Sequence, residues 1–147
     1  MRICVCVKRV PAPGARITLT ADGQDIDTKN LGFTTSPHEE CAVEAAIQLV
    51  EAHGGDVTVL TVGPPEADEQ LRYAISVGAT HGVLVVPDGA PAGPDPQATA
   101  AALADAVRAL EADGGAFDLV LFGNESADSG GYQVGVRVAR ALARPIV

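Results

Sequence analysis

The residues best suited to chemistry run from Gly123 to Gly135 and read Gly-Asn-Glu-Ser-Ala-Asp-Ser-Gly-Gly-Tyr-Gln-Val-Gly. The run follows a short apolar segment and leads into one with helical spacing. Small side chains let a ligand approach the backbone closely. Gly130 and Gly131 would offer N–H groups at a helix N-terminus, an arrangement that suits a phosphate. Asp128 repels a phosphate, so it would accept from a ribose hydroxyl or cap the helix. The plain structural alternative is a glycine-rich turn with an Asp/Ser cap. The spacing is not that of a P-loop, because no lysine follows the glycines.

Other reactive residue types are sparse. Lys8-Arg9 is the only adjacent basic pair. It lies at the end of the first apolar run, where it would meet a nucleotide or an acidic partner, or simply face solvent. His38 falls in the first turn of a predicted helix that faces the same end. His53 falls at a helix C-terminus, where a cation is favoured, and His81 in a turn. No Ser/His/Asp or Cys/His arrangement is legible, so the chain reads as having no catalytic residues of its own. Cys4 and Cys6 share one face of a strand, and with Cys41 they form neither a zinc set nor a disulfide framework. Reduced core thiols fit a cytoplasmic protein. Aromatic residues are 3% of the chain and tryptophan is absent, so a flavin-stacking cage would not come from this chain.

The elements that must position these residues alternate. Apolar runs of four to six residues at Ile3–Val7, Val57–Val62, Val83–Val86 and Leu119–Phe122 read as strands buried on both faces of a parallel sheet. Between and after them, Glu39–Ala52, Ala67–Val77, Gln97–Ala112 and Tyr132–Ala143 read as helices. Their expected inner faces carry Ala42, Ala45, Ala46 and Leu49; then Leu71, Ala74 and Ile75; then Leu103, Ala106, Val107 and Leu110; then Val136, Ala139 and Leu142. The order predicts right-handed crossovers and a sheet covered on both faces. Ser36-Pro37 is an N-cap with proline at the first helical position, and Glu39 and Glu40 supply first-turn charge. Gly54-Gly55 and Gly78 close helices, and Pro94-Asp95-Pro96 opens one. Residues 16–20 and 24–27, either side of Asp22-Gly23, predict a small hairpin excursion after the first strand. Pro145 ends the last helix, and Ile146-Val147 read as the start of a further strand of a longer parent protein.

Length and charge narrow the function. The 147 residues fit one α/β nucleotide-binding domain over 1–147, large enough to bury a core without disulfides or metal. Apolar residues are 47% and charged residues 20%, a globular balance. Ten basic against nineteen acidic residues give a net charge of −9, which repels nucleic acid and anionic membrane surfaces. No stretch approaches the roughly 20 apolar residues of a membrane span.

Four segments resemble the β subunit of electron transfer flavoproteins. Ile3-Cys-Val-Cys-Val-Lys-Arg-Val-Pro11 is similar to that family's first strand. Ser36-Pro-His-Glu-Glu-Cys-Ala-Val-Glu-Ala-Ala46 is similar to its Asn-Pro-x-x-Glu-x-Ala-Val-Glu-x-Ala helix opening. Leu71-Arg72, Ala74 and Val77-Gly78-Ala79-Thr80 match its Ile-Arg-x-Ala-Leu-x-Met-Gly-Ala-Asp. Gly123 to Asp128 with Gln133-Val-Gly135 resembles its nucleotide loop. The matches come in family order and cover nearly the whole chain.

The resemblance implies a three-layer sandwich with a mostly parallel sheet, of the adenine-nucleotide α-hydrolase-like kind. It implies a heterodimer with an α subunit that holds most of the FAD contacts. It also implies a structural AMP in the β chain, or a second FAD in electron-bifurcating members. Carried over by position, the nucleotide contacts are Cys6, Ser36, Pro37, His38, Glu39, Val62, Gly123, Asn124, Glu125, Ser126, Ala127, Asp128, Ser129, Gly130, Gly131, Tyr132, Gln133 and Val134. The assembly would take electrons from flavin dehydrogenases and pass them to another redox partner, with the redox chemistry belonging to the flavin. Ser36 departs from the family's usual Asn, losing an amide donor while keeping an N-cap. Pro11, Pro13 and Gly14 stand where some members place an aromatic near the flavin. The family's β subunit also extends well beyond residue 147. A stand-alone ATP- or AMP-binding module of universal-stress-protein type is the alternative, although its Gly-x-x-Gly…Gly-Ser/Thr pattern is absent. Ser129-Gly130-Gly131 is similar to a motif of ATP pyrophosphatases, which carry it after the first strand rather than the fourth.

Overall fold

A computed structural model describes residues 1–88 and 95–147. Four parallel strands form the central sheet: β1 (Arg2–Cys6), β4 (Asp56–Val62), β5 (His81–Val85) and β6 (Leu119–Phe122), in spatial order β5-β4-β1-β6. Cys6 stands opposite Leu60 on one side and Phe122 on the other. Helices α1 (Pro37–His53), α2 (Asp68–Ser76), α3 (Pro96–Gly114) and α4 (Val134–Ala141) supply the outer layers. A 3-10 turn at Pro65–Ala67 leads into α2. The three-layer sandwich with a mostly parallel sheet is therefore the observed architecture. The Gly/Pro/Ala-rich loop before α3, and Pro94 with it, lie outside the described residues.

Alternation along β1 splits the core in two. Ile3, Val5 and Val7 face α1 and α2, among Val43, Ala46, Ile47, Leu71 and Ala74. Cys4 and Cys6 face the other way, among Leu60, Leu103, Ala104, Val107 and Val138. Both thiols are buried and free. The chain passes from β1 outward to β5 and then returns across the sheet to place β6 on β1's other side. The crevice between the carboxyl ends of β1 and β6 is thus a topological switch point, where open parallel sheets bind ligands.

Several helix faces are rotated from the expected ones. In α1 the buried stripe is Glu39, Val43, Ala46 and Ile47, whereas Ala45 is exposed. The larger β-branched side chains take the core, and alanine fits either face. In α2, Leu71 and Ala74 are buried but Ile75 is 45% exposed. In α4, Val138 is buried and Val136 is 55% exposed. Helix α4 is also shorter than expected. Tyr132 has φ 52° and precedes it, and Ala143 has φ 54° and ends it. The Arg144 N–H donates to Ala139 O and the Ala143 N–H to Arg140 O, a Schellman-type end built on alanine instead of glycine. His81 is the first residue of β5 rather than part of a turn. Ile146 and Val147 are coil, without strand pairing in the described residues.

The excursion after β1 is antiparallel at both ends. Its base is the two-residue pairing of β2 (Val10–Pro11) with β3 (Phe33–Thr34), which the sequence did not announce. Its tip is a single bridge, Leu19 to Ile26, rather than a ladder. Ile17 and Leu19 are 49% and 64% exposed, so no apolar face supports longer strands there.

Two substitutions separate core from surface. Leu60, which is 0% exposed, should cost about 2–5 kcal/mol when replaced by alanine. Val136→Ala should stay within about 0.5 kcal/mol of the parent. Urea unfolding followed by circular dichroism checks both.

Candidate functional site

The site is built around Glu39. Glu39 is 5% exposed, and its carboxylate accepts from the Lys8 N–H through Oε1 at 3.0 Å and from the Ser36 N–H through Oε2 at 2.9 Å. Ser36 precedes α1, Pro37 occupies the first helical position, and Glu39 reaches back as the acidic member of a capping box. One carboxylate thereby ties the end of β1 to the start of α1. Burial pushes the Glu39 carboxyl up, and the Ser36 amide and hydroxyl, the Lys8 amide and the Lys8 charge work against that rise.

β6 brings the glycine loop onto the same carboxylate. A Cβ on Gly123 would lie 2.7 Å from Glu39 Cγ and 3.1 Å from Glu39 N. Only glycine fits where β6 ends against α1. Beyond it, the Lys8 ammonium is bound by both Asp128 oxygens, at 2.8 and 2.7 Å. His38 Nε2 lies 3.7 Å from Glu125 Oε1. The Ser126 and Ser129 hydroxyls share a hydrogen bond of 2.7 Å, and the Gly130 N–H donates to Ser126 O. Gly130 therefore spends its amide inside the loop rather than offering it at a helix end. Gly131 faces open space. Burial acts to raise the Asp128 carboxyl, but the Lys8 ammonium and the Ser126 and Ser129 donors outweigh it and hold Asp128 below the usual range. Glu125 pushes the Tyr132 hydroxyl up by accepting from it.

The structure thus gathers Ser36, Pro37, His38, Glu39 and the loop from Gly123 to Val134 at one sheet edge. Cys6 and Val62 mark the carboxyl ends of the adjacent strands β1 and β4. A hydrogen bond with Cys4, burial and the nearby Glu39 charge all push the Cys6 thiol well up. It is protonated at neutral pH and not an activated nucleophile.

Two features were not foreseen. Glu39 reads in sequence as first-turn charge, although Ser36-x-x-Glu39 carries the capping-box signature. The Lys8–Asp128 pair spans 120 positions and has no local signal. The basic pair also divides. Lys8 turns to the loop, while the Arg9 guanidinium lies 3.3 Å from the centre of the Phe33 ring. Among the described residues no His/Cys/Asp/Glu group is arranged to hold a metal, and no helix is long and apolar enough to cross a membrane.

Fold and site together define a Rossmann-like α/β protein with a glycine-loop edge at its switch point. A family model described as "Electron transfer flavoprotein domain" matches residues 25–147, and the chain belongs to that family. It is 41% identical to Protein FixA of Azorhizobium caulinodans over 97% of this chain and 50% of the relative. It is 36% identical to the electron transfer flavoprotein subunit beta of Syntrophomonas wolfei, over 100% of this chain and 55% of the relative. An acryloyl-CoA reductase electron transfer subunit gamma of Anaerotignum propionicum is 33% identical over 100% of this chain and 54% of the relative. The chain spans about half the length of the curated relatives it matches.

Replacing Glu39 by alanine leaves two amides unpaired. It should lower stability by about 2 kcal/mol or more, since each buried unsatisfied donor costs about 1–3 kcal/mol; denaturant unfolding at pH 7 measures it. Asp128→Asn tests the ion pair. The folded Asp128 carboxyl is lowered, so its contribution is full above the ordinary carboxylate range and fades as pH falls through the folded value. The partners are 44% and 29% exposed, so the effect at neutral pH should be below about 1 kcal/mol. Unfolding midpoints of parent and variant should differ at pH 7 and converge in acid.

Proposed function

We propose that this chain is the nucleotide-binding part of an electron transfer flavoprotein β-type subunit, with AMP as its ligand. The observation that carries the reading is the convergence at the β1/β6 switch point. There the Lys8 ammonium, paired with the half-exposed Asp128, a glycine-rich loop with open space at Gly131, and the Ser36 N-cap of α1 lie at one sheet edge. These groups fit a nucleoside monophosphate: a cation that can turn to the phosphate, and open backbone at Gly131. Ser36 to Glu39, Cys6, Val62 and the loop from Gly123 to Val134 would hold it. Relatives named as electron transfer subunits support a carrier rather than a catalyst.

In this reading the chain pairs with an α subunit that holds FAD, and the holo-complex receives electrons from flavin dehydrogenases. Electron uptake and release is the chemistry the flavin supplies. The residues of this chain bind and orient. Lys8 shifts from Asp128 toward the ligand phosphate, and Glu39 keeps the ends of β1 and α1 fixed around it.

The first test is mass spectrometry of whatever the denatured protein releases. AMP supports the reading, FAD moves it to a bifurcating type, and ATP favours a stand-alone regulatory module. AMP titration by calorimetry should show Lys8→Ala weakened about tenfold, the loss of one charge-assisted contact worth roughly 1.4 kcal/mol. Unchanged affinity would remove Lys8 from the site.

A further inference from the structure

A second concave feature lies on the opposite side of β1 from the Cys4 and Cys6 thiols, between α1, α2 and the end of β3. It encloses about 200 Å³ and continues past Thr35, Gln70 and Tyr73 into a smaller hollow beside Phe33 and Glu69. Its floor includes Gln70, which is 4% exposed and whose Oε1 has no hydrogen-bond partner. A buried amide oxygen left alone is costly, so it marks a place where a donor is missing. The outer walls are the exposed Tyr73 ring and Val77. Glu40 and Glu44 stand on the α1 wall, and Glu69 stands at the far end.

The charges around the groove are unequal. Glu40 accepts weakly from the Thr35 hydroxyl at 3.4 Å, and Glu44 accepts from the neutral Gln48 amide at 2.7 Å. Arg9 is a nearby cation, but it is engaged elsewhere. It interacts with Glu66 and Glu69 and is held over Phe33. Among the described residues, the two carboxylates on the α1 wall form no ion pair. The volume is below the roughly 300–1,000 Å³ of sites for whole small molecules and suits one side chain.

We propose that this groove is an interaction surface that receives an arginine side chain of a partner protein. The methylene stem would lie on Tyr73 and Val77. The guanidinium, with five donors in a planar fork, would meet Gln70 Oε1 and the α1 carboxylates together. A lysine ammonium is a compact point charge and serves dispersed acceptors less well. The proposal stands apart from the nucleotide reading, because no groove residue belongs to the glycine-loop edge.

The test uses the full chain, isotopically labelled, titrated with the peptide acetyl-Gly-Arg-Gly-amide and with its citrulline counterpart, which keeps the shape and removes the charge. Saturable NMR shifts at the Gln70 side-chain amide and the Val43 and Val77 methyls, at least tenfold weaker with citrulline, are expected. Gln70→Leu should reduce arginine-peptide binding at least fivefold. Glu44→Gln, on the exposed rim, should reduce it about threefold with an unchanged thermal midpoint. That second variant keeps the test decisive should Gln70→Leu fail to fold. Equal shifts from both peptides, shifts mapping elsewhere, or none at all would overturn the proposal.

Discussion

Two amide hydrogen bonds to one buried carboxylate hold the business end of this molecule together. Glu39 joins the backbone of Lys8, two residues past β1, to that of Ser36, the residue before α1, so the end of β1 and the start of α1 are tied together. Burying a carboxylate is unfavourable unless donors compensate, and here the donors are backbone amides that have no other partner. The arrangement is self-consistent. The helix needs a cap, the strand end needs an acceptor, and a single side chain meets both needs. Gly123 then follows as a steric consequence, because the capped helix end leaves no room for a Cβ on β6.

Around that fixed point, sheet topology determines what else arrives. Because the chain runs out to β5 and returns to the far side of β1, the loop after β6 falls beside the N-terminus of α1 and the end of β1. Lys8 reaches across to Asp128 only because these two strand ends are neighbours. The pair belongs to the fold as a whole. Neither residue is placed by its own element alone, and its salt- and pH-sensitivity is that of a half-exposed contact.

Much of the fold was legible because strands buried on both faces show as continuous apolar runs. Leu119–Phe122 is found where it was expected, and the other strands differ by a few residues at their ends. Helix existence followed from spacing and caps, and Ser36-Pro37 opens α1 as read. Which helix face is buried was less legible in alanine-rich segments. Ala45 and Ala46 are equivalent in sequence, and Val43 and Ile47 decide the rotation by volume. The β2/β3 pairing was hidden because two-residue ladders carry no period. At the site, the glycine loop was visible as composition and the family motifs placed it. The Lys8–Asp128 contact was invisible because it depends on strand order. Tyr132 and Ala143 at positive φ were invisible because glycine is the usual signal for that conformation.

The position of β6 in the sheet has a colloidal consequence. It pairs with β1 on one side, and among the described residues nothing pairs with its other side. Four residues of backbone there, including a 36% exposed Leu119, form a template onto which another strand can add. Charge opposes that addition between two copies, since each carries −9. The opposition has a range of about 10 Å at 0.1 M salt and about 3 Å at 1 M. Repulsion between copies thus works against strand addition at this edge, and added salt weakens it.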